Sequence, residues 1–133
     1  PDRWCFLQLW SGLGIISPVV EGFLGIQPNA AERTLRVVPN LPAGWDRVSL
    51  KHLRVADAYF DIDVERTPKQ IFVNVSSTVR DFQLMLGAHV PNADLISNLT
   101  LNQKPTKYEI GQSIDGDYIV CRCRASSRHT LWL

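Results

Sequence analysis

The sequence contains few cysteines, and their spacing fits neither a metal site nor a redox pair. Cys5, Cys121 and Cys123 make an odd count, and one residue separates the last two, where a CxxC motif has two. Residues two apart on a strand point to the same face, so we predict buried free thiols. Free thiols mildly favour a reducing, cytoplasmic location. The alternative is a glycosylating compartment, because Asn74 and Asn98 begin N-x-S/T sequons.

The sequence also lacks an excess of charge and a long uninterrupted apolar run. Its formal net charge is +1, so we expect no nucleic-acid partner. Between Trp4 and Ala31 the only charged residue is Glu21. Polar residues, glycines and a proline nevertheless interrupt this stretch before the roughly 18 apolar residues that a membrane span needs. The stretch has no basic start or small-residue cleavage site of a signal peptide, and we expect no membrane partner.

Signatures of catalysis and of cofactor binding are missing as well. No GxSxG motif, P-loop or dinucleotide fingerprint occurs, and Ser11 lies in a helical context instead of a strand-to-helix elbow. His52, His89 and His129 are scattered without HxH or HExxH spacing, which favours surface or structural roles. We therefore predict no catalytic residue, no cofactor and no metal site in this chain.

The N-terminal stretch shows the period of a helix. Apolar residues recur at steps of three and four, at Phe6, Leu9, Trp10, Leu13, Ile16, Val20, Phe23 and Leu24. Ser17-Pro18 should end or kink the first helix, because proline removes a backbone donor and clashes with the preceding turn. We expect a helical continuation through about Leu24, a stop at Gly25, and a polar connector over residues 27–32.

The rest of the chain alternates between apolar and polar residues, as strands do. This pattern predicts strands over residues 34–38, 47–50, 53–65, 70–76, 81–90, 108–110, 118–124 and 129–133, with a possible short strand near 95–101. Pro39, Pro42 and Gly44 indicate a loop, after which Trp45 should pack inward, and Asp115-Gly116 indicates a hairpin turn. Many short strands separated by turns predict a mainly β fold, an antiparallel β-sandwich preceded by one or two N-terminal helices.

Three carboxylates share one face of the predicted strand 53–65. Asp61, Asp63 and Glu65 lie on the same side as Tyr59, with apolar residues on the opposite side. Paired carboxylates perform glycoside hydrolysis, but carboxylates two apart also arise where a strand face is simply solvated. No apolar pocket that would raise the pKa of one carboxyl is evident nearby, so we predict a solvated face.

Aromatic residues offer a possible means of binding sugars, because aromatic rings stack on the apolar faces of pyranoses. The candidates are Trp4, Trp10, Trp45, Tyr59 and Trp132. Packing in the core is the alternative for each of them. We retain Trp45 and Trp132 as the candidates for sugar stacking.

Four segments of the first half resemble a known family. They are Cys5 to Gly12 (CFLQLWSG), Gly22 to Pro28 (GFLGIQP), Leu35 to Pro42 (LRVVPNLP) and Val48 to Val55. Together they resemble the C-terminal end of glycogen-debranching, amylo-α-1,6-glucosidase-like six-hairpin glycoside hydrolases, which carry a C-x-x-Q-x-W segment late in the catalytic barrel. The resemblance covers residues 4–66. It departs from the family at Ala56-Asp57, where those proteins usually have a glycine after L-R-V.

The resemblance implies a parent enzyme with an (α/α)6 barrel. Residues 1–26 would then be its last helices, and residues 27–133 its C-terminal β-sandwich domain. In relatives the catalytic carboxylates lie in the barrel, which implies a catalytic pair upstream of Pro1. The resemblance also implies that Gln8 and Trp10 line the edge of the substrate site. Glu21 matches no catalytic position.

We therefore expect a non-catalytic C-terminal fragment of an enzyme that hydrolyses α-glucosidic linkages. Its partners would be the catalytic barrel of the same polypeptide and, in the parent, an α-glucan or oligosaccharide substrate. The alternative is a stand-alone carbohydrate-binding or purely structural β-sandwich module.

Overall fold

A computed structural model describes residues 16–96 and 98–133 of the 133-residue chain. The expectations for Trp4, Cys5, Gln8, Trp10 and Ser11, and for most of the N-terminal helix, lie outside the described residues. Within those residues the fold is mainly β, with two sheets and little helix, as the sequence predicts. No helix of this part of the chain is long and apolar enough to cross a membrane.

A short helical segment precedes the sheets. Pro18–Phe23 form a six-residue π-helix, in agreement with the predicted helical continuation. Gly25 ends it with a φ of +57°, a conformation that glycine adopts without steric cost. A Cβ at Gly25 would overlap the carbonyl oxygen of Val38, so the backbone approaches the end of a strand closely here. The stop predicted at Gly25 is therefore confirmed.

Two sheets contain the strands of the described residues. The five-stranded sheet has the order β1-β2-β6-β10-β9 and the six-stranded sheet has the order β3-β4-β5-β11-β7-β8. The strands are β1 (Ile26–Asn29), β2 (Thr34–Val37), β3 (Arg47–Val55), β4 (Ala58–Arg66), β5 (Ile71–Ser77), β6 (Gln83–Val90), β7 (Thr100–Leu101), β8 (Lys104–Pro105), β9 (Glu109–Ser113), β10 (Gly116–Arg124) and β11 (His129–Trp132).

The polar connector predicted over residues 27–32 is wrong, because β1 begins at Ile26 and forms a hairpin with β2. Only Ile26 among the four residues of β1 is buried, whereas the other three are exposed. A strand with one buried residue at the edge of a sheet carries too little apolar alternation to be recognised.

The expectation of a wholly antiparallel arrangement is also wrong at one pair of strands. β2 runs parallel to β6, with Leu35 opposite Leu84, whereas the other described pairs are antiparallel. Both strands bury alternate residues on the same face. The alternation of buried and exposed residues along a strand is the same whether its neighbour runs parallel or antiparallel. It therefore does not determine the relative direction of the two strands.

The predicted long strand over residues 53–65 is divided by a turn at Ala56-Asp57, which joins β3 to β4. Ala56 adopts a φ of +55°, although no glycine marks the turn in the sequence. The break expected between Leu50 and Leu53 is instead a β-bulge within β3, where His52 has a φ of +57°. A bulge interrupts the alternation of residues without ending the strand, which explains the error.

Most of the other strands agree with the sequence. β2, β5, β6, β10 and β11 occur where the alternation predicts them, and Gly116 of the predicted β9–β10 turn has a φ of +116°. The region near residues 95–101 differs, because Ala93–Leu95 form a 3-10 helix and the strand β7 has two residues.

The buried faces of the two sheets contribute to one hydrophobic core. The predicted alternation in β4 is confirmed, since Phe60, Ile62 and Val64 are fully buried and Tyr59 is exposed. Phe60 of the six-stranded sheet meets Phe82 edge to face, with ring centroids 5.2 Å apart. Aromatic pairs of this geometry stabilise a core beyond the area that they bury.

Arg33 links loops of the two sheets at one end of the fold. It lies in the β1–β2 turn, and its guanidinium contacts Asp57 of the β3–β4 turn at 2.8 Å and Asp81 before β6 at 2.7 Å. The same guanidinium lies 4.6 Å from the centre of the Phe82 ring. The two carboxylates raise the pKa of Arg33, with Asp81 as the main cause, and Arg33 lowers the pKa of Asp57.

Candidate functional site

The outer face of the six-stranded sheet carries one of the two tryptophans proposed for sugar stacking. Residues two apart on a strand share a face, so Trp132 and Thr130 of β11 lie beside Phe72 and Asn74 of β5. Leu131 and Val73 point the opposite way and are fully buried. Trp132 remains 40% exposed, so part of its ring system is open to a ligand.

These side chains form a shallow depression of about 670 Å³, which we call the outer-face depression. It combines two aromatic rings with neutral and charged polar groups. Its lining residues are Glu65, Phe72, Asn74, Asn102, Gln103, Arg128, Thr130 and Trp132. A volume of this size lies within the range of small-ligand sites in proteins.

The aromatic pair is held in one orientation. Phe72 and Trp132 occupy directly paired positions of β5 and β11, and their rings meet edge to face with centroids 5.3 Å apart and an interplanar angle of 76°. This arrangement is favoured by the quadrupoles of the two rings. Phe72 is partly exposed and Trp132 is 40% exposed, so the pair leaves aromatic surface open on the outer face of the sheet.

The polar part of the depression is ordered by hydrogen bonds. Thr130 Oγ1 donates to Asn74 Oδ1 at 2.7 Å. Asn102 Oδ1 accepts from the backbone N–H of Thr130 at 3.0 Å, which fixes the β7–β8 hairpin against β11. Asn102 and Gln103 have φ values of +52° and +65°, as residues of a tight hairpin turn do. Both residues thereby border the depression.

His129 supports this arrangement from below as a buried structural histidine. Its Nε2–H donates to the carbonyl oxygen of Arg124 at 2.6 Å, and its Nδ1 accepts from Asn102 Nδ2 at 3.2 Å. A carbonyl oxygen only accepts, so this pairing defines the Nε2–H tautomer. The predicted structural role is thus confirmed for His129.

Trp45, the second tryptophan proposed for sugar stacking, lies elsewhere. It follows the Pro42–Gly44 loop and meets Phe23 of the helical segment edge to face, with centroids 5.5 Å apart. Its exposure of 42% shows that the expected inward packing is wrong. A loop tryptophan beside a short helical segment has neighbours on one side only. Trp45 is therefore not part of the outer-face depression.

Of the three carboxylates of β4, Glu65 is exposed as predicted, whereas Asp61 and Asp63 are half-buried and make structural contacts that a solvated face would lack. Asp61 Oδ1 accepts from the backbone N–H of His52 and so stabilises the bulge of β3. Asp63 accepts from Ser49 Oγ at 2.6 Å and from Lys51 Nζ at 2.7 Å. Glu65 is exposed and borders the outer-face depression.

The pKa of Asp63 argues against an acid role. Burial raises the pKa of Asp63. The hydrogen bonds from Lys51 and Ser49, together with the charge of Arg47, lower this pKa by more than burial raises it, so the net shift is downward. The general acid of a glycosidase needs the opposite shift, because it must hold its proton near neutral pH. Asp63 is therefore suited to a structural ion pair.

A second concavity, which we call the end groove, lies at the opposite end of the fold from Arg33. It measures about 960 Å³ and is bordered by the Pro39–Leu41 loop, the β4–β5 turn and the end of β6. Arg66 donates from Nη1 to Leu41 O and from Nη2 to Pro42 O, both at 2.8 Å, and thereby fixes the loop. The sequence indicated the loop but not this groove.

His89 is the unusual group of the end groove. Its Nδ1 is buried without a hydrogen-bond partner in the described part of the chain, and its ring lies 5.6 Å from that of Tyr118. Burial lowers the pKa of His89, and Arg36 lowers it further, against the opposing effect of Asp115. His89 is therefore neutral near pH 7.

Neither cysteine of β10 forms part of a reactive site. Cys121 is buried and Cys123 is partly buried, and both are free thiols. Burial raises the pKa of Cys121 to about 11 and that of Cys123 to about 12, so both remain protonated near neutral pH. The described residues contain no group of three or more His, Cys, Asp or Glu side chains that could hold a metal ion.

The structure thus brings one proposed stacking residue, Trp132, together with polar side chains that the sequence did not connect with it. Phe72 and Asn74 come from β5, which only the pairing of β5 with β11 brings to Trp132. The sequence matches no protein-family model, and no curated protein is significantly similar to it.

Proposed function

We propose that this chain is the non-catalytic C-terminal part of a glycoside hydrolase that resembles glycogen-debranching, amylo-α-1,6-glucosidase-like enzymes. Residues 27–133 would form a β-sandwich that caps a catalytic (α/α)6 barrel. Residues 1–26 would be the last helical part of that barrel. The barrel of the same polypeptide would be the partner, and its α-glucan the substrate of the parent enzyme.

The joint between the helical segment and the five-stranded sheet carries this proposal. Two of the segments that resemble the family, Gly22 to Pro28 and Leu35 to Pro42, contact each other directly. Val38 N donates to Gly25 O at 3.2 Å, and Asn40 N donates to Phe23 O at 2.8 Å. These hydrogen bonds hold the end of the helical segment against the five-stranded sheet. A junction between a helical barrel and its β-sandwich cap requires such a connection.

Exposed apolar groups next to this joint also support the proposal. Ile16 is 60% exposed at the start of the described helical segment, and Trp45 is 42% exposed beside Phe23. Trp45 and Phe23 form an apolar contact at the surface, and contiguous apolar surface can mark a place where another protein element packs. In the parent enzyme, the preceding barrel helices would cover this surface.

An activity assay tests the absence of catalysis. We expect the isolated chain to release no glucose from isomaltose, from maltooligosaccharides or from a branched limit dextrin, because Asp61 and Asp63 of β4 are engaged in structural hydrogen bonds. Asp63→Asn serves as the control for contamination, since a trace hydrolase would act equally in both samples. Robust turnover that disappears in Asp63→Asn would show that the chain itself is an enzyme.

Limited proteolysis tests the role of the joint. Leu24 and Ile26 are buried in the core, whereas residues 16, 18, 21 and 22 are exposed. Without a barrel to cover them, the residues before Leu24 should be cleaved first, and a fragment beginning near Leu24 should persist. Protection of the whole N-terminal stretch in the isolated chain would contradict a barrel-capping role.

The second candidate function is a stand-alone carbohydrate-binding β-sandwich. The observation that favours it is the exposed Trp132 in the outer-face depression. Binding of a glycan at this face is compatible with either function, because the face is distinct from the joint at Gly25.

A further inference from the structure

We propose that the outer-face depression is a binding site for a neutral glycan, with one pyranose ring stacked on Trp132. The assignment of the glycan as an α-glucan rests on the proposed function, whereas the site itself rests on the depression alone. The indole of Trp132 offers an apolar surface, and the surrounding polar groups offer donors and acceptors for hydroxyls. A pyranose has the matching chemistry, since its C–H groups form apolar faces and its hydroxyls surround the ring.

The stacking surface is formed before any ligand arrives. Trp132 is part of a paired strand, contacts Phe72 edge to face and is 40% exposed. A side chain already held in one orientation loses little conformational entropy when a ligand binds. Exposed aromatic surface on a rigid sheet is therefore well suited to weak binding of one or two sugar units.

Hydrogen-bond donors and hydrogen-bond acceptors both surround the exposed surface of Trp132. Asn74 Oδ1 is occupied by the hydroxyl of Thr130, which leaves the amide NH₂ of Asn74 to act as a donor to a ligand. Glu65, Gln103 and Arg128 are exposed at the border of the depression and supply an acceptor carboxylate, an amide and a donor guanidinium. Vicinal sugar hydroxyls both donate and accept, so they match this mixture.

The charges of the depression favour a neutral glycan. One carboxylate, Glu65, and one guanidinium, Arg128, border it, so their formal charges cancel. A site for sulfated or uronic-acid polymers would need a cluster of basic groups, as sites for polyanions have. The resemblance to α-glucan-processing enzymes then makes a glucose polymer the first choice among neutral glycans.

Affinity electrophoresis and titration calorimetry with glycogen and maltoheptaose test the site. We expect retardation of the wild-type chain, and a loss of affinity of about tenfold or more in Trp132→Ala, as for an aromatic residue at the centre of a binding site. The matched control is Trp45→Ala, which removes a tryptophan of nearly equal exposure elsewhere. Trp45→Ala should bind as the wild type does.

Two further variants separate binding from folding. Trp132→Phe keeps an aromatic ring next to Phe72 and should retain part of the affinity. Arg128→Ala removes an exposed group, so it should fold normally and bind more weakly. Far-UV circular dichroism and the thermal midpoint of each variant show whether it is folded.

Three outcomes would overturn the site. They are no retardation by any neutral glycan, equal retardation of Trp132→Ala and wild type, or binding only to a sulfated polymer. A neutral β-glucan bound in place of the α-glucans would keep the site and remove its assignment to α-glucan. The activity and proteolysis experiments do not involve Trp132. Failure of the glycan-site proposal is therefore distinguishable from failure of the barrel-capping proposal.

Discussion

At the scale of single residues, Ala56 occupies a position that suits glycine. It is the first residue of the β3–β4 turn and has a φ of +55°, where a Cβ crowds the backbone. The family that the sequence resembles usually has glycine after L-R-V, at this same place. Arg54, two residues earlier, donates from Nε to Ala56 O at 3.1 Å and helps to hold the turn.

We therefore expect Ala56→Gly to raise the free energy of unfolding by about 0.5–1 kcal/mol, because relief of the steric cost exceeds the added entropy of the unfolded chain. Urea denaturation should show a higher midpoint with an unchanged slope. Ala43→Gly is the matched control, since Ala43 lies in an exposed turn without a positive φ and gains nothing from the change. A lower midpoint for Ala56→Gly would contradict the turn geometry.

The thiols of β10 predict how stability responds to alkaline pH. Folding raises the pKa of Cys121 from 9.0 to about 11 and that of Cys123 from 9.0 to about 12, in both cases mainly because of burial. Groups whose pKa is raised by folding stabilise the folded state below their unfolded pKa. This contribution is lost as the pH rises from about 9 through the folded values.

We expect the free energy of unfolding to fall more steeply between pH 9 and 11 in the wild type than in the variant with both Cys121→Ala and Cys123→Ala. Denaturation at several pH values in the presence of a reductant measures the two slopes. The double variant loses core packing at every pH, so the comparison concerns the slope and not the absolute stability. Equal slopes would mean that the thiols are not buried.

At the scale of elements, the sequence predicted the strands that bury alternate residues along their whole length. β4 and β5 have four and two fully buried apolar residues at spacings of two, with polar residues between them. β1 was missed because it buries one residue. The β3–β4 turn was missed because its positive φ falls on an alanine, which gives no turn signal.

The candidate site was predictable only in part. Trp132 stood out as an aromatic residue on a terminal strand, but nothing in the sequence connected it with Phe72 or Asn74 of another strand. They meet because β11 pairs with β5, a long-range pairing that alternation does not specify. The cluster of Arg33, Asp57 and Asp81 was missed for the same reason, since its members lie on three separate turns.

The cluster of Arg33, Asp57 and Asp81 predicts that the contact between loops of the two sheets weakens at acid pH. The hydrogen bond from Arg33 lowers the pKa of Asp57 below its ordinary 3.8. A carboxyl whose pKa is lowered by folding stabilises the folded state above the unfolded pKa, and this contribution disappears as the pH falls through the folded value. Because Arg33 joins the β3–β4 turn of one sheet to the loop before β6 of the other, protonation of Asp57 weakens this connection at one end of the core.

We expect Arg33→Met to lower the thermal midpoint at pH 7 and to weaken the dependence of stability on pH below about 4, where Asp57 titrates. Methionine keeps an apolar stem over Phe82, so the change removes mainly the charge. Arg36→Met is the control, because Arg36 contacts Gln27 and the ring of Tyr118 instead of a carboxylate. An Arg33→Met profile that parallels the wild type at low pH would contradict this role.

At the scale of the whole molecule, one core between two sheets carries three distinct surfaces. The joint at Gly25 and Trp45 is apolar, the outer-face depression is aromatic and polar, and the end groove contains the neutral His89. In the proposed function the joint receives the barrel. The depression would then hold a glycan on the opposite side of the six-stranded sheet from the core.

The central claim is that this chain continues a catalytic barrel of the same polypeptide. The coding sequence immediately upstream of Pro1 tests it most directly. The account predicts an open reading frame that continues for several hundred codons of helical hairpins and contains a pair of acidic residues near the C-x-x-Q-x-W segment at Cys5 to Trp10. An in-frame start codon directly before Pro1, preceded by a stop codon, would contradict it.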